Sequence, residues 1–186
     1  MKSIAALTAI LLICTYLPVV DRKTRVQDQW NQMTYEEQLE ADVAMKACVT
    51  GMSVDDFILI SSVTEAESDR SNHITGKMLI ALTILNRVDS SSWPNSIRGV
   101  LTQSGQFTTV HNGRSCTTRT NTSDMAVIRA VEWNNTGDDP DIQFFNCIGF
   151  NNPYPYCESY GNYFMYASEQ PDAYVDPYVE YAYPDT

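Results

Sequence analysis

The 186-residue chain is predicted to be an α+β, mainly helical protein. Apolar residues recur at three- and four-residue spacing in several stretches, and most of these stretches follow a capping sequence, which is typical of helices with one buried face. Strand character is confined to two short segments, one beginning near Phe107 and one from Ile142 to Phe145. With 44% hydrophobic and 19% charged residues, the composition fits one globular domain with short appendages.

A first helix is predicted between Thr34 and Gly51. The sequence Thr34 to Glu37 has the pattern of a capping box, in which the threonine and a glutamate three residues later satisfy the first backbone amides. Leu39, Val43 and Ala47 follow at four-residue spacing and are predicted to form its apolar stripe.

A second helix is predicted from a cap at Ser53 to a cluster of acidic residues. Phe57, Ile60 and Val63 give it a buried face, and Glu65 falls where the helix leaves the core. A half-desolvated carboxylate is expected to have a raised pKa, which would suit it to hold a proton at neutral pH. The alternative interpretation is a solvated surface glutamate, since glutamate is seldom buried.

The third helix is predicted from about residue 75 to 88, with Met78, Leu82 and Leu85 on one core-facing stripe. Asn86 and Arg87 at its end are predicted to be structural supports, since a cation at a helix C-terminus can bind unpaired carbonyls. The alternative is that Arg87 forms an ion pair with a substrate carboxylate.

Two further helices are predicted after a turn-rich break. One is short and contains Ile97, Val100 and Leu101. The other begins at the cap Thr122 to Asp124, and its inward-facing residues are predicted to be Met125, Ile128 and Val131.

Charge excludes one class of partner. The net charge is −11, and no Lys or Arg follows Arg129. No basic patch is available to bind phosphates, so no nucleic-acid partner is expected, and a substrate should bind through hydrogen bonds and stacking. Asp138, Asp139 and Asp141 lack the spacing of an EF-hand, and no metal site is predicted.

The chain ends are predicted to lie outside the main globular domain. Residues 3–20 are almost all apolar, so 1–25 are predicted to be a signal peptide or, alternatively, an N-terminal membrane anchor. The domain itself is assigned to 34–166, and 167–186 form an acidic tail rich in Tyr and Pro. The protein is expected to be an exported monomer.

Cysteine number supports export. Without the leader, four cysteines remain, and an even number in an exported domain indicates disulfides. Three pairings are possible; Cys147 and Cys157 are the natural local pair, and Cys48 is then expected to pair with Cys116. Four free buried thiols are the alternative.

Several motifs together resemble the SleB-like cell wall hydrolases, which include spore cortex-lytic enzymes and relatives carried by bacteriophages. The motifs are Glu65-Ala66, Gly76 opening a helix that ends Leu85-Asn86-Arg87-Val88, Trp93-Pro94-Asn95-Ser96-Ile97, Gln106-Phe107, and more weakly Ile142 to Asn146 and Tyr160-Gly161-Asn162. The resemblance covers about residues 55 to 166. Family members place a histidine after the Gly-Asn pair, where this chain has Tyr163.

The resemblance implies a lysozyme-like domain with a short β element that cleaves peptidoglycan between N-acetylmuramic acid and N-acetylglucosamine. By position, Glu65 is the catalytic acid of a lytic transglycosylase, which needs one carboxylate and no metal or cofactor. Gln106, Thr108, Asn146 and Tyr163 are candidates for contacting the substrate. The alternatives are a hydrolase in which water attacks, and a catalytically silent glycan-binding or virion structural protein, which Tyr163 favours.

Overall fold

The computed structural model describes residues 19–68, 73–103, 106–107, 118–137, 139–146, 157–159 and 162–166. The acidic tail, the predicted strand segment after Phe107 together with Thr108, and residues 1–18 of the predicted leader lie outside these residues. In the part of the chain that is described, no helix has both the length and the apolar character needed to span a bilayer.

The described elements are mainly helical, with a short β element, as predicted. The helices are α1 Val19–Gln32, α2 Tyr35–Thr50, α3 Val54–Glu67, α4 Ile74–Asp89, α5 Ile97–Leu101 and α6 Asn121–Asn134. The strands are β1 Ile142–Asn146, β2 Cys157–Ser159 and β3 Asn162–Tyr166. They form an antiparallel sheet in the order β1-β3-β2, in which both β1 and β2 pair with β3.

The chain divides into two compact units, Met1–Phe57 and Ile58–Thr186. In the first unit, the predicted capping box is confirmed. Thr34 accepts from the Glu37 amide, the Glu37 carboxylate accepts from the Thr34 amide, and Gly51 ends α2 with a left-handed φ of 69°. Val43 and Ala47 are buried as predicted, but Leu39 is 48% exposed because the buried face begins only at Ala41.

The Cys48–Cys116 disulfide predicted from the cysteine count is wrong. Cys48 is a free thiol that is exposed to solvent on α2. A disulfide needs a second cysteine Cβ within about 4 Å, and Cys48 has no such partner. Cys116 and Cys147 lie outside the described residues, so the Cys147–Cys157 pair stays a prediction.

Helix α4 is the core of the second unit. Its residues from Leu79 to Leu85 are buried, including the predicted stripe residues Leu82 and Leu85, and it packs against α6, α5 and β1. Asn86 donates hydrogen bonds to the carbonyls of Pro140 and Ile142 at 2.9 and 3.0 Å, and so fixes the start of β1. The supporting role predicted for Asn86 is confirmed.

The inward face predicted for α6 is wrong. Met125 is 42% exposed, whereas Ser123, Ala126, Val127 and Ala130 are buried. Small residues on a helix face allow a neighbouring helix to approach closely, which accounts for alanines at the α4 contact. The helix also begins earlier than predicted, because its cap is Thr120.

Candidate active site

Glu65 lies in the last turn of α3, half-buried, with 21% of its side chain exposed. The preceding turns of this helix are anchored in the core by Phe57, Ile60 and Val63, each fully buried as predicted. The Glu65 backbone carbonyl accepts a hydrogen bond from the Ser68 hydroxyl at 2.8 Å, which satisfies one of the carbonyls that a helix end leaves without an internal partner. The carboxyl group is thus fixed at the edge of the core.

Two donors from other elements converge on one oxygen of this carboxylate. The Lys77 ammonium, in the first turn of α4, donates to Glu65 Oε2 at 2.7 Å. The Thr120 hydroxyl, at the cap of α6, donates to the same Oε2 at 2.6 Å. The Lys77 side chain is only 1% exposed, so its charge is buried against Glu65. Helices α3, α4 and α6 therefore meet at Oε2.

A buried polar network holds Thr120 in place. Its hydroxyl accepts from the Ser123 amide at 3.1 Å, and the Thr120 amide donates to the Ser123 hydroxyl at 3.0 Å, which is a capping box. The Ser123 hydroxyl lies 3.0 Å from that of Ser61 on α3, and Ser61 donates to Asp124 Oδ1 at 2.7 Å. The Arg119 guanidinium pairs with the same Asp124 oxygen at 2.8 Å. The network ties the start of α6 to α3 next to Glu65.

The raised pKa predicted for Glu65 is wrong. Burial does raise the pKa of this carboxyl, and it is the largest single influence. The hydrogen bonds from Lys77 and Thr120, the positive charge of Lys77 and the nearby Ser123 hydroxyl together outweigh burial, so the pKa of Glu65 is lowered. The sequence predicts that the carboxylate lies at the edge of the core, but it does not reveal the buried Lys77 beside it, which lowers the pKa. In this structure Glu65 is stabilised as the anion.

The opposite end of α4 carries a second polar cluster, centred on Arg87. The Arg87 Nε donates to the Gln143 carbonyl of β1 at 2.6 Å, and its Nη1 donates to the side-chain oxygen of Gln106 at 3.0 Å. The guanidinium also lies over the Trp93 ring, 4.1 Å from its centroid, a cation–π contact. These contacts are those of the structural support predicted for Arg87, although the carbonyl that it binds is on β1 and not at the end of its own helix.

The same cluster fixes the backbone at Gln106 and Phe107. Phe107 is 7% exposed and has a φ of +43°, in the left-handed region that costs a non-glycine residue about 1–3 kcal/mol. The Arg87 guanidinium lies 5.4 Å from the Phe107 ring centroid. Packing against Arg87 therefore helps to maintain this unfavourable backbone conformation next to Gln106.

The structure separates the predicted site residues instead of gathering them around Glu65. Gln106 accepts a hydrogen bond from Arg87. Arg87 lies ten residues after Lys77 on α4, which at a rise of 1.5 Å per residue separates the two by about 15 Å along the helix axis. Asn146 on β1 and Tyr163 on β3 are cross-strand partners in the sheet register, although their side chains lie outside the described part. Thr108 lies outside it altogether.

Sequence reasoning missed Lys77, Thr120 and Ser123. A usable signal exists for the lysine, because Lys77, Ile80 and Ile84 follow helical spacing on a face that is otherwise apolar. A charged residue on such a face requires a partner. For Thr120, the signal is a capping pair with Ser123, but serine at that position is less recognisable than glutamate.

A polar cleft of about 450 Å³ opens at the C-terminal end of α4. Its lining comprises Asn86, Asp89, Ser90, Ser91, Asn134, Asp139, Asp141 and Gln143. Neither Glu65 nor any of the predicted substrate-binding residues is among them. The cleft is therefore separate from the carboxylate site.

Comparison with known proteins places these features in context. A family model described as Cell Wall Hydrolase matches residues 71–169, a range that begins after Glu65. The spore cortex-lytic enzyme of Bacillus cereus is 35% identical over 97 residues, which make up 52% of this chain. The chain covers only 36% of that relative's length.

Two solved structures are similar to this chain. The catalytic domain of the Bacillus cereus SleB protein has a TM-score of 0.50 and 27% identity, over 61% of this chain and 91% of that one. The catalytic domain of the germination-specific lytic transglycosylase SleB from Bacillus anthracis has a TM-score of 0.50 and 25% identity, over 62% and 97%.

Proposed function

The chain belongs to the cell wall hydrolase family, and on that premise we propose that it cleaves the glycan strands of peptidoglycan with Glu65 as the proton-transferring group. The resemblance seen in the sequence is confirmed by the family match and by the SleB catalytic domains. Cleavage of cell wall implies that the protein acts outside the cytoplasm. The bond cut is proposed to be the one between N-acetylmuramic acid and N-acetylglucosamine.

The observation that supports this proposal is the environment of Glu65. The carboxylate lies at the edge of the core with its side chain 21% exposed, and both of its described side-chain donors bind the same oxygen, Oε2. One face of the group is anchored and the other can meet a substrate. A general acid or base must be both held and accessible, and this arrangement satisfies both conditions.

A mechanism with one carboxylate fits these surroundings. Lys77 and Thr120 hold one oxygen of Glu65, which leaves a single anchored carboxylate with its other oxygen available for the reaction. Two-acid glycosidases need their carboxyl groups about 5 to 9.5 Å apart on either side of the bond. In a lytic transglycosylase, Glu65 would protonate the glycosidic oxygen and then accept the proton of the muramoyl C6 hydroxyl, which attacks C1 to give a 1,6-anhydro sugar.

Gln106 is proposed to contact the sugar through its amide nitrogen. Arg87 donates to the side-chain oxygen of Gln106, which fixes the amide orientation and directs its NH₂ group away from the guanidinium. Asn146 and Tyr163 are proposed to act from adjacent sheet positions, and Thr108 from the segment after Phe107. Neutral donors of this kind can support a positively charged transition state without competing with it.

The experiment is digestion of purified peptidoglycan followed by mass spectrometry of the released fragments. Anhydro-muropeptides would support the transglycosylase, and reducing-end muropeptides would support the hydrolase that uses water. Release of no fragments, together with retained binding to the insoluble wall, would instead support a silent glycan-binding protein. The lowered pKa of Glu65 favours that last alternative, because the acid form is depleted at neutral pH.

A further inference from the structure

Lys77 is in an unfavourable position by every local criterion. It lies in the first turn of α4, where the positive end of the helix dipole opposes a cation, and its side chain is 1% exposed. Burial of an ammonium group costs several kcal/mol unless it is paired. The partner that the structure gives it is Glu65, at 2.7 Å.

The position of Glu65 is equally unfavourable for a negative charge with respect to its own helix. It occupies the last turn of α3, where the negative end of the helix dipole opposes an anion. Replacing a buried ion pair with apolar residues of similar volume is often neutral or stabilising. Stability alone therefore does not account for a charge pair at two helix ends, and because one member of the pair is the proposed catalytic group, we infer a role in the reaction.

The pair is also asymmetric. Lys77 and Thr120 both bind Oε2, and neither of them, nor any other described residue, donates a hydrogen bond to Oε1. Two short hydrogen bonds from separate helices restrict rotation of the carboxyl plane, because turning it would break both at once. The two oxygens thus differ in their contacts: Oε2 is fixed by two hydrogen bonds, and Oε1 is available to bind a substrate.

We propose that Lys77 is a positioning residue of the cleavage reaction, which fixes Glu65 Oε2 and makes Oε1 the oxygen that exchanges protons with the glycan. This rests on the proposed function. The proton on Oε1 passes to the glycosidic oxygen as the bond from C1 breaks and its electron pair stays on the departing sugar. Oε1 then takes the proton of the attacking hydroxyl as that oxygen bonds to C1, so Glu65 ends protonated as it began.

Lys77 affects the pH range of the reaction as well as the orientation of the Glu65 carboxyl group. A neighbouring cation favours the carboxylate over the acid, so the acid that starts the reaction is abundant only at lower pH. Among the described residues, the other charged groups near Glu65 are Asp124 in the first turn of α6, Arg119 just before that helix, which forms an ion pair with Asp124, and Glu67 on α3 itself. Replacing Lys77 therefore removes the cation next to Glu65 and leaves the Arg119–Asp124 ion pair intact.

The variant to test is Lys77→Met, which keeps a long unbranched side chain and removes the charge. In the pH profile of kcat/KM on soluble glycan strands, we expect the limb that falls at higher pH to move to still higher pH. Activity at neutral pH relative to acidic pH should therefore rise several-fold. Lys77→Arg, which retains the charge, should keep the limb near that of the wild type. The matched control is Lys46→Met, which removes a lysine paired with Asp42 on α2 and should leave the profile unchanged.

A titration of Glu65 by ¹³C NMR, assigned with Glu65→Gln, provides a readout that needs no turnover. We expect the Glu65 signal of the unaltered protein to titrate below the ordinary glutamate range, and to move upwards in Lys77→Met. An unchanged titration and an unchanged rate profile in a folded Lys77→Met protein would overturn the proposal. If that variant does not fold, a Glu65 signal at or above the ordinary range in the unaltered protein would overturn it instead.

This design separates the two proposals. If no glycan is cleaved but the Glu65 titration responds to Lys77 as expected, the proposed function is wrong and the charge coupling stands. If glycan is cleaved but neither the titration nor the rate profile responds, the function stands and Lys77 is not the positioning residue.

Discussion

The two ends of α4 each bury a cation, and they use it differently. Lys77 in the first turn is 1% exposed, and Arg87 in the last turn is 3% exposed. Arg87 lies where the helix dipole favours a positive charge, whereas Lys77 lies where the dipole opposes it. One cation is in a position that local physics supports, and the other is held only by tertiary contacts.

Their partners differ in the same way. The partners described for Arg87 are a backbone carbonyl, an amide oxygen and two aromatic rings, all of them uncharged. Burial lowers the pKa of Arg87 to about 10, which still leaves it charged at neutral pH. Lys77 binds a carboxylate that can gain or lose a proton. A buried cation with neutral partners maintains structure, and one beside a titratable group also alters its chemistry.

The largest expected effect is loss of activity in Glu65→Gln. The amide has nearly the same shape but cannot transfer a proton, so turnover should fall by about 10² to 10⁴. Thermal melting should show that the variant remains folded. The control is Glu67→Gln in the same turn, which we expect to have little effect on turnover. Wild-type release of muropeptides by Glu65→Gln would exclude Glu65 as the acid.

Arg87→Ala should reduce stability more than chemistry. It leaves the Gln143 carbonyl and the Gln106 amide without their charged donor, which should lower the free energy of unfolding by about 1–3 kcal/mol. Turnover per folded molecule should fall far less than in Glu65→Gln, because Arg87 acts on the reaction only by orienting Gln106. Arg98→Ala on the exposed side of α5 is the control and should stay within about 0.5 kcal/mol of wild type.

If Arg87→Ala affected turnover instead of stability, Arg87 would not be a structural residue and would resemble Lys77 in acting on the reaction. An Arg87→Ala protein that melts like wild type but has lost turnover would place Arg87 in the substrate site, as an ion-pair partner for a muramoyl carboxylate. Denaturant melts and turnover measured on the same preparation would distinguish the two roles.

Thr120→Val should combine a small loss of stability with a change at the carboxylate. Valine has the same shape but lacks the hydroxyl that caps α6 and donates to Glu65, and losing such a cap costs about 0.5–2 kcal/mol. Thr120→Ser retains both hydrogen bonds and should behave like wild type in denaturant melts. Equal losses in the two variants would show that the methyl group, not the hydroxyl, is what matters.

The smallest expected effect is on the pH dependence of the free energy of unfolding, part of which should disappear in Glu65→Gln. The folded state lowers the pKa of Glu65, so its ionisation stabilises the fold above the pKa of the unfolded chain and ceases to do so as pH falls through the folded pKa. The stability difference between wild type and Glu65→Gln should therefore be constant near neutral pH and decline in acid. Urea melts of both proteins from about pH 7 to about pH 3 would measure it. A difference that grows in acid would mean that the pKa is raised.

Much of the helical framework could be predicted because its signals are local. The capping box at Thr34, the left-handed end at Gly51 and the short helix at Ile97 all depend on residues a few positions apart. The position of Glu65 in the last turn of α3 follows from the same kind of pattern. Local hydrogen bonds and side-chain spacing are encoded in a short window, whatever the rest of the chain does.

Which face of α6 is buried could not be predicted in this way. Met125 is a larger hydrophobic residue than Ala126 or Ala130, and hydrophobicity alone favours burying it. The structure exposes Met125 because the neighbouring α4 requires a close approach and because Ser123 binds Ser61. The identity of the neighbouring element, which the sequence of α6 does not contain, decided the outcome.

The sequence by itself determined that a glutamate would stand at the end of a core helix, and only the tertiary structure decided its protonation. Lys77 is 12 residues away from Glu65 and Thr120 is 55 residues away, yet both bind the same oxygen. A pKa depends on charges and donors within a few ångströms, and those distances are set by how α3, α4 and α6 pack. Helical periodicity placed the carboxyl group at the edge of the core, and the packing of two other helices made it an anion.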